Sequence, residues 1–385
     1  MTNNSIVVTG MGCVCATGGS IAEMEAAFQQ ECRGPVRSPF AEHGLDVPVF
    51  AAPDVKCAEG ESRTVALARH AAREALAAAG LKDGKILRVG VCLGTTVANQ
   101  LNDIPFYENL RRSGIVDRGA VARFHAGNLA EALAKSTRAT GPRLTVCNAC
   151  SSGADAVGVA RDWLRAGLCD IAIAGGADEL SRLAICGFHA LGVYSLERCR
   201  PFDLNRRGLN LGEGAGILVL ETAAHAKKRG VKPVCELAGY GAANDAHHLT
   251  APHPEGAGLK RAIEAALAQA GESTIAFVNA HGTATPDNDR IEGRALAEIF
   301  GNTPVLSTKG WTGHTLGAAG AIEAVFTIMG LCAGRIPGTA GLRDKDVEIP
   351  ANASPDAREV SGHCAVSTSL AFGGCNAVLV FKRVP

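Results

Sequence analysis

The sequence predicts a layered α/β fold built from a duplicated strand–helix unit. Three observations lead there. Short apolar runs alternate along the chain with longer segments of helical period, the pattern of strands joined by crossover helices. The same series of features occurs twice, in the same order. Forty-six glycines among 385 residues supply the tight turns and close backbone approaches that stacked layers need.

The elements follow in order. Ser5–Gly10 (SIVVTG) is an apolar run closed by a glycine turn, a buried strand. Ile21–Gln30 has helical spacing. Thr64–Leu81 carries apolar residues at helical spacing, with Gly80 as its stop. Arg88–Gly94 and Leu144–Val146 are strands, the second running into a turn. Ala154–Gly167 is a helix. Ile171–Gly175 and Gly216–Glu221 are strands. The second series opens with the strand Pro233–Gly239 and the Ala-rich helix Gly258–Ala270, stopped at Gly271. Strand Ile275–Ala280 follows, and Val305–Thr308 leads into the turn and helix Gly317–Gly330. Ala377–Lys382 is the closing strand. Each series has a strand ending in Gly-Thr (LGTT at 93–96, HGTA at 281–284) and a small-residue turn opening a helix (CSSGADAVG at 150–158, GHTLGAAGAIEA at 313–324). The reading is two halves, 1–225 and 226–385, with parallel sheets covered by helices. About 98–141 fits the repeat poorly and is expected to be an insertion.

Composition excludes several classes. The 38 Lys+Arg balance 38 Asp+Glu, and 47% of residues are hydrophobic, which excludes general disorder and predicts a globular protein. Zero net charge and 4% aromatic residues give no basis for a nucleic-acid partner. No basic start with an apolar h-region is present and no stretch of ~18 apolar residues is expected to span a membrane. The 14 cysteines are then expected to be reduced, mostly small buried hydrophobes in a cytoplasmic protein.

Four motifs could carry chemistry. In Cys147-Asn-Ala-Cys150-Ser-Ser-Gly, a strand feeds a tight turn and a helix. A thiol at a helix N-terminus is expected to have a lowered pKa. Two buried structural cysteines, or a Cys-x-x-Cys redox pair, are the other readings. A zinc site would need a second ligand pair, and no metal is expected. Asn279-Ala-His281-Gly-Thr283-Ala-Thr285-Pro puts a histidine at a strand end, where functional groups collect in open α/β folds. Ser307-Thr-Lys309-Gly-Trp-Thr-Gly-His314 opens the helix containing Glu323. Ala371-Phe372-Gly-Gly sets a ring among glycines, a mobile gate or a plain turn. Such loops at corresponding strand ends would converge on one cavity.

Together these segments resemble the decarboxylating, elongating beta-ketoacyl-ACP synthases of the thiolase fold. NACSSGADA, RPFD (200–203), GEGAGILVLE (212–221), NDAHHLTAPHPEG (244–256), NAHGTATPDND (279–289), STKGWTGHTLGAAGAIEA (307–324) and FGGCNAVLV (372–380) follow in the family's order, almost end to end. The resemblance implies a five-layer αβαβα sandwich. It implies Cys150 as acylated nucleophile, and His281 and His314 as the histidines of a Cys-His-His triad. Lys309 and Glu323 support the site, Thr283 and Thr285 hold a pantetheine arm, and Phe372 is the gate. The backbone N–H groups of Phe372 and Cys150 would form an oxyanion hole. The implied reaction condenses malonyl-ACP, with loss of carbon dioxide, onto an acyl chain carried on Cys150. The product is a 3-oxoacyl-ACP of fatty acid or polyketide synthesis.

The substrates implied are acyl-ACP and malonyl-ACP, and no cofactor is needed, because the acyl carrier protein brings its own phosphopantetheine. A homodimer, or a heterodimer with a related subunit, is implied. Arg63, Arg206 and Arg207 are candidates to steer the acidic carrier. A non-decarboxylating thiolase would show a second catalytic cysteine, and initiating synthases have asparagine where His314 stands. A non-condensing, chain-length-factor-like subunit lacks the nucleophile that Cys150 supplies. The chain departs from the family at Cys147-Asn148, at Arg206-Arg207-Gly208-Leu209, and at Leu370 and Ala371 beside the gate. These changes bear on gate and acyl-pocket shape and point to a specialised pathway, such as a polyene or other polyketide.

Overall fold

A computed structural model of the chain describes residues 2–30, 33–59, 61–81, 88–96, 104–119, 121, 128–271 and 274–384. Eleven strands among them form one hydrogen-bonded sheet. They are β1 (Ile6–Val14), β2 (Val89–Gly94), β3 (Arg143–Val146), β4 (Ile171–Asp178), β5 (Gly214–Thr222), β6 (Cys235–Asn244), β7 (Ile275–Asn279), β8 (Pro304–Leu306), β9 (Asn352–Ala353), β10 (Cys364–Ala371) and β11 (Cys375–Lys382). Their spatial order is β9-β8-β7-β10-β11-β6-β1-β5-β4-β2-β3. The order from β1 to β3 is repeated from β6 to β8. Among the described residues, the two strand series pair where Val7 and Val8 meet Glu236 and Cys235.

The sheets are mixed, not parallel as the alternation suggested. β5 runs antiparallel to both β1 and β4, and β11 antiparallel to both β6 and β10. Antiparallel neighbours need no crossover helix, so β10 and β11 are joined by a hairpin of Phe372, Gly373 and Gly374. Gly373 and Gly374 have φ of 85° and 77°, which a Cβ would resist.

Burial parity explains the layers. Ile171, Ile173, Ile217 and Val219 enter one core with Leu67, Ala71, Leu129 and Leu133. The intervening Ala172, Ala174, Leu218 and Leu220 enter another with Val157, Ile322 and Val325. In the second series Val378 and Val380 face Leu259 and Ile263, whereas Leu379 and Phe381 face the shared central core. A strand buried on both faces reads as a continuous apolar run. Helices α1 (Arg63–Ala78) and α2 (Leu129–Thr137) cover the first outer face. Helices α3 (Ser152–Arg165), α4 (Ala257–Ala270), α5 (Pro286–Phe300) and α6 (Ala319–Ala333) supply the other layers. α3 and α6 pack together in the middle, with α4 and α5 outside the second face. The result is the αβαβα sandwich.

One expectation changes. The insertion does not extend to residue 141, because Leu129, Ala130, Leu133 and Ala134 of α2 belong to the first outer core; residues 97–103, 120 and 122–127 lie outside the described residues. Leu316–Ala333 is long and apolar enough to cross a membrane, but 89% of it is buried inside the protein. A helix packed between two sheet faces is apolar all round for the same reason a spanning helix is.

The central helices touch through glycine. A Cβ on Gly153 would stand 2.8 Å from the Gly317 carbonyl oxygen and 2.9 Å from the Ala321 nitrogen. Gly153→Ala should therefore destabilise the fold by about 1–3 kcal/mol, despite alanine's better helix propensity. Urea unfolding measures this, and an unchanged or raised midpoint would refute the close contact.

Candidate active site

Cys150 lies in the tight turn between β3 and α3, and Ala149 before it has φ of 47°. The thiol is buried, with Sγ 3.1 Å from His314 Nε2. Cys147 is exposed and both thiols are free. Helix position had predicted a lowered pKa for Cys150. Burial instead pushes it from 9.0 up to about 12, against the charge of Lys309 and a hydrogen bond from the Phe372 amide. Desolvation outweighs a terminal dipole that acts over one turn.

His281 follows β7, and His314 lies in the loop before α6. Their rings meet edge to face, 5.2 Å apart. Burial and the Lys309 charge hold both well below the usual imidazole range, so both are neutral. Their tautomers follow from their partners. The Leu316 amide donates to His314 Nδ1 at 3.2 Å, which leaves the proton on Nε2. Lys309 Nζ lies 3.2 Å from His281 Nδ1 and, as a cation, can only donate; that proton too sits on Nε2. Leu316 takes φ of 55° where its amide meets His314.

Lys309 is completely buried. Its ammonium donates to the His281 carbonyl at 2.6 Å and to Glu323 Oε1, a charge-assisted contact. Burial raises the Glu323 carboxyl pKa and the Lys309 charge opposes it. Glu323 Oε2 meets no donor among the described residues.

Cys150, His281 and His314 open into a cavity of about 240 Å³, which Thr283, Thr285 and Phe372 also line. The threonine hydroxyls are 2.9 Å apart. Phe372 stacks on Phe188, with ring centroids 5.6 Å apart. Leu370 lines the same cavity. The arrangement can hold an acyl group on sulfur and offer two imidazole N–H donors to a developing oxyanion. Among the described residues no group of three His, Cys, Asp or Glu side chains is placed to hold a metal.

The three arginines separate. Arg63 forms a two-pronged pair with buried Glu213, at 2.6 and 2.9 Å. The Arg206 side chain is nearly covered, 2.5 Å from Asp346, and donates to the Pro286 carbonyl. Both guanidinium groups are engaged in ion pairs, Arg63 half-buried and Arg206 nearly covered, whereas Arg207 is exposed. Other residues that shape the site escaped sequence reasoning. Glu292 accepts the amides of His281 and Gly282 and the hydroxyl of Thr368. Asp178 accepts from Thr95, Thr96 and Gly317, and burial raises it to about 6. The i, i+3 spacing of Asp289 and Glu292 after Pro286 was the available signal: it puts both carboxylates on one face of α5.

Comparison with known proteins identifies the family. The model of the beta-ketoacyl synthase N-terminal domain matches residues 3–226, and that of the C-terminal domain residues 234–343. The chain belongs to the beta-ketoacyl synthase family. It is 33% identical over 400 residues to nodulation protein E of Rhizobium meliloti, covering 98% of this chain and 99% of that protein. It is also 33% identical over 416 residues to 3-oxoacyl-[acyl-carrier-protein] synthase 2 of Staphylococcus aureus (strain N315), covering 99% of each. Among solved structures, the ishigamide ketosynthase/chain length factor superposes with a TM-score of 0.92, 32% identity and full coverage of both chains.

Two outcomes test this electrostatic arrangement. Glu323→Ala leaves the buried Lys309 cation without its carboxylate and should lower stability by about 3–5 kcal/mol, measured by denaturant unfolding. Cys150 is a neutral thiol below its raised pKa, and its thiolate fraction grows as pH rises. Iodoacetamide labelling of Cys150, followed by peptide mass spectrometry, should climb about tenfold per pH unit between about pH 7 and pH 10 without a plateau. A plateau near neutrality would mean that the dipole and His314 dominate.

Proposed function

We propose that this chain is a decarboxylating, elongating 3-oxoacyl-ACP synthase. One observation carries the reading: two neutral imidazoles present Nε2–H into the cavity that holds the Cys150 sulfur. The Cys150 sulfur attacks the acyl thioester of an acyl-ACP. The acyl–sulfur bond to the carrier breaks, and the carrier leaves as a thiol with the Cys150 proton. The amides of Cys150 and Phe372 steady the oxyanion. Malonyl-ACP then enters with its pantetheine arm along Thr283 and Thr285. Its carboxylate leaves as carbon dioxide, and the electron pair passes to an enolate whose oxygen accepts from His281 and His314. The enolate carbon attacks the acyl-Cys150 carbonyl, forming the new carbon–carbon bond. The Cys150 thiolate is expelled and takes up a proton from solvent.

Lys309 acts in this scheme by fixing the His281 tautomer, with Glu323 as its counter-charge. No cofactor is required, since the malonyl group supplies the driving force and the carrier supplies phosphopantetheine. Phe372 and Phe188 gate the acyl chain, and Leu370 shapes its pocket. Arg207 is the carrier contact of the three arginines weighed. We place the two halves at 1–225 and 226–385, and the protein in the cytoplasm. The likeness to a ketosynthase in complex with its chain length factor supports a dimer, homodimer or heterodimer, and the likeness to a type II PKS ketosynthase supports a specialised polyketide pathway. A non-condensing subunit is the second reading; the intact set of Cys150, His281, Lys309, His314 and Glu323 disfavours it.

Intact-mass spectrometry after incubation with a panel of acyl-ACP thioesters tests the reading. The wild type should gain the mass of the acyl group and Cys150→Ala should not. His281→Ala should slow carbon dioxide release from malonyl-ACP by about 10²–10³-fold, the scale of losing one oxyanion donor. No acylation by any carrier-bound chain would favour the non-condensing subunit.

A further inference from the structure

The turn that carries Cys150 is held by a polar network that the proposed reaction does not touch. Ala149 adopts a left-handed backbone, which a side chain disfavours, so neighbouring bonds must hold it. The Asn148 amide donates to Ser152 Oγ at 2.7 Å, and that hydroxyl donates to the Ala149 carbonyl at 2.6 Å. Beneath them sits Asp155, buried on the first turns of α3. Its Oδ2 accepts from Asn148 Nδ2 and from Ser151 Oγ, each at 2.7 Å. Its Oδ1 accepts from the Tyr240 hydroxyl at 2.8 Å.

Tyr240 comes from β6, the first strand of the second series. Its ring crosses α3 at Gly158, where a Cβ would stand 2.5 Å from the ring carbons. The tyrosine therefore reaches the turn only because residue 158 has no side chain. Neither Asp155 nor Tyr240 lines the cavity. Three donors converge on one carboxylate, and a buried acceptor set of this kind rigidifies what it joins.

We infer that Asp155 and Tyr240 are positioning residues for the nucleophile. They brace the Asn148–Ser152 turn from the second half of the molecule, so that the Cys150 sulfur stays against His314 and the Phe372 amide. The inference rests on the condensing-enzyme reading. It separates the two half-reactions. Transfer of the acyl group to Cys150 depends on the turn. Decarboxylation draws on His281 and His314, which other loops hold.

The test measures both half-reactions on the full chain: acylation of Cys150 by intact mass against time, and carbon dioxide release from malonyl-ACP. Asp155→Ala should slow acylation on the order of 10- to 100-fold, the scale of a displaced reacting group, with decarboxylation changed less than about twofold. Asp155→Asn should restore acylation, because its amide oxygen can accept from Asn148 and Ser151 while its amide nitrogen donates to Tyr240. Tyr240→Phe removes one bond without removing the ring and should slow acylation several-fold; it carries the test where Asp155→Ala does not fold. Acylation at the wild-type rate in Asp155→Ala and Tyr240→Phe overturns the inference, and so does an equal loss of both half-reactions. A wild type that performs neither half-reaction overturns the proposed function instead.

Discussion

The ammonium of Lys309 is fully buried, and the site is organised around neutralising it. A buried cation without partners costs several kcal/mol. Glu323 supplies the charge, and the His281 carbonyl and Nδ1 complete the shell. The same contacts decide the chemistry of His281. Burial and the cation at Nδ1 keep the ring neutral, and the cation sends the ring proton to Nε2. His314 reaches the same state by another route, through a backbone amide at Nδ1. Two imidazoles thus become hydrogen-bond donors without becoming cations.

Layering brings these groups to one place. The two strand series share a central core, and α3 and α6 meet there at glycine distance. Cys150 enters from the turn before α3, and His314 and Glu323 from the loop before α6 and from α6 itself. Asp178 ties the end of β2 to the segment before α6. The β10–β11 hairpin brings the Phe372 amide to the sulfur. The close approach of backbone to backbone, rather than any single side chain, puts groups from the two halves in reach of one another.

Cys150 shows how competing effects are ranked. The helix terminus, the Lys309 charge and the Phe372 amide all favour the thiolate, and burial opposes them and wins. A resting neutral thiol suits a nucleophile that is acylated by a bound thioester and shielded from other electrophiles. The charge then develops where the donors already stand.

Much of this was legible along the chain. Strand β5 (GILVLE) and helix α4 were readable from apolar runs, spacing and a glycine stop, and the motifs around Cys150, His281 and Lys309–His314 marked the site. Strand β10 and helices α2 and α5 were not. β10 (CAVSTSLA) mixes small and polar residues, and its pairing with β7 and β11 decides its state. Arg63 and Arg206 looked like surface charge because Glu213 and Asp346, their partners, lie more than a hundred residues away. By itself the sequence determined what depends on neighbours in the chain: element types, the duplicated order, the turn chemistry and the residue types of the site. Tertiary structure alone decided the mixed sheet, the raised thiol pKa, the histidine tautomers and the Asp155–Tyr240 brace. Each of those depends on burial or on a distant partner, and neither is written in local spacing.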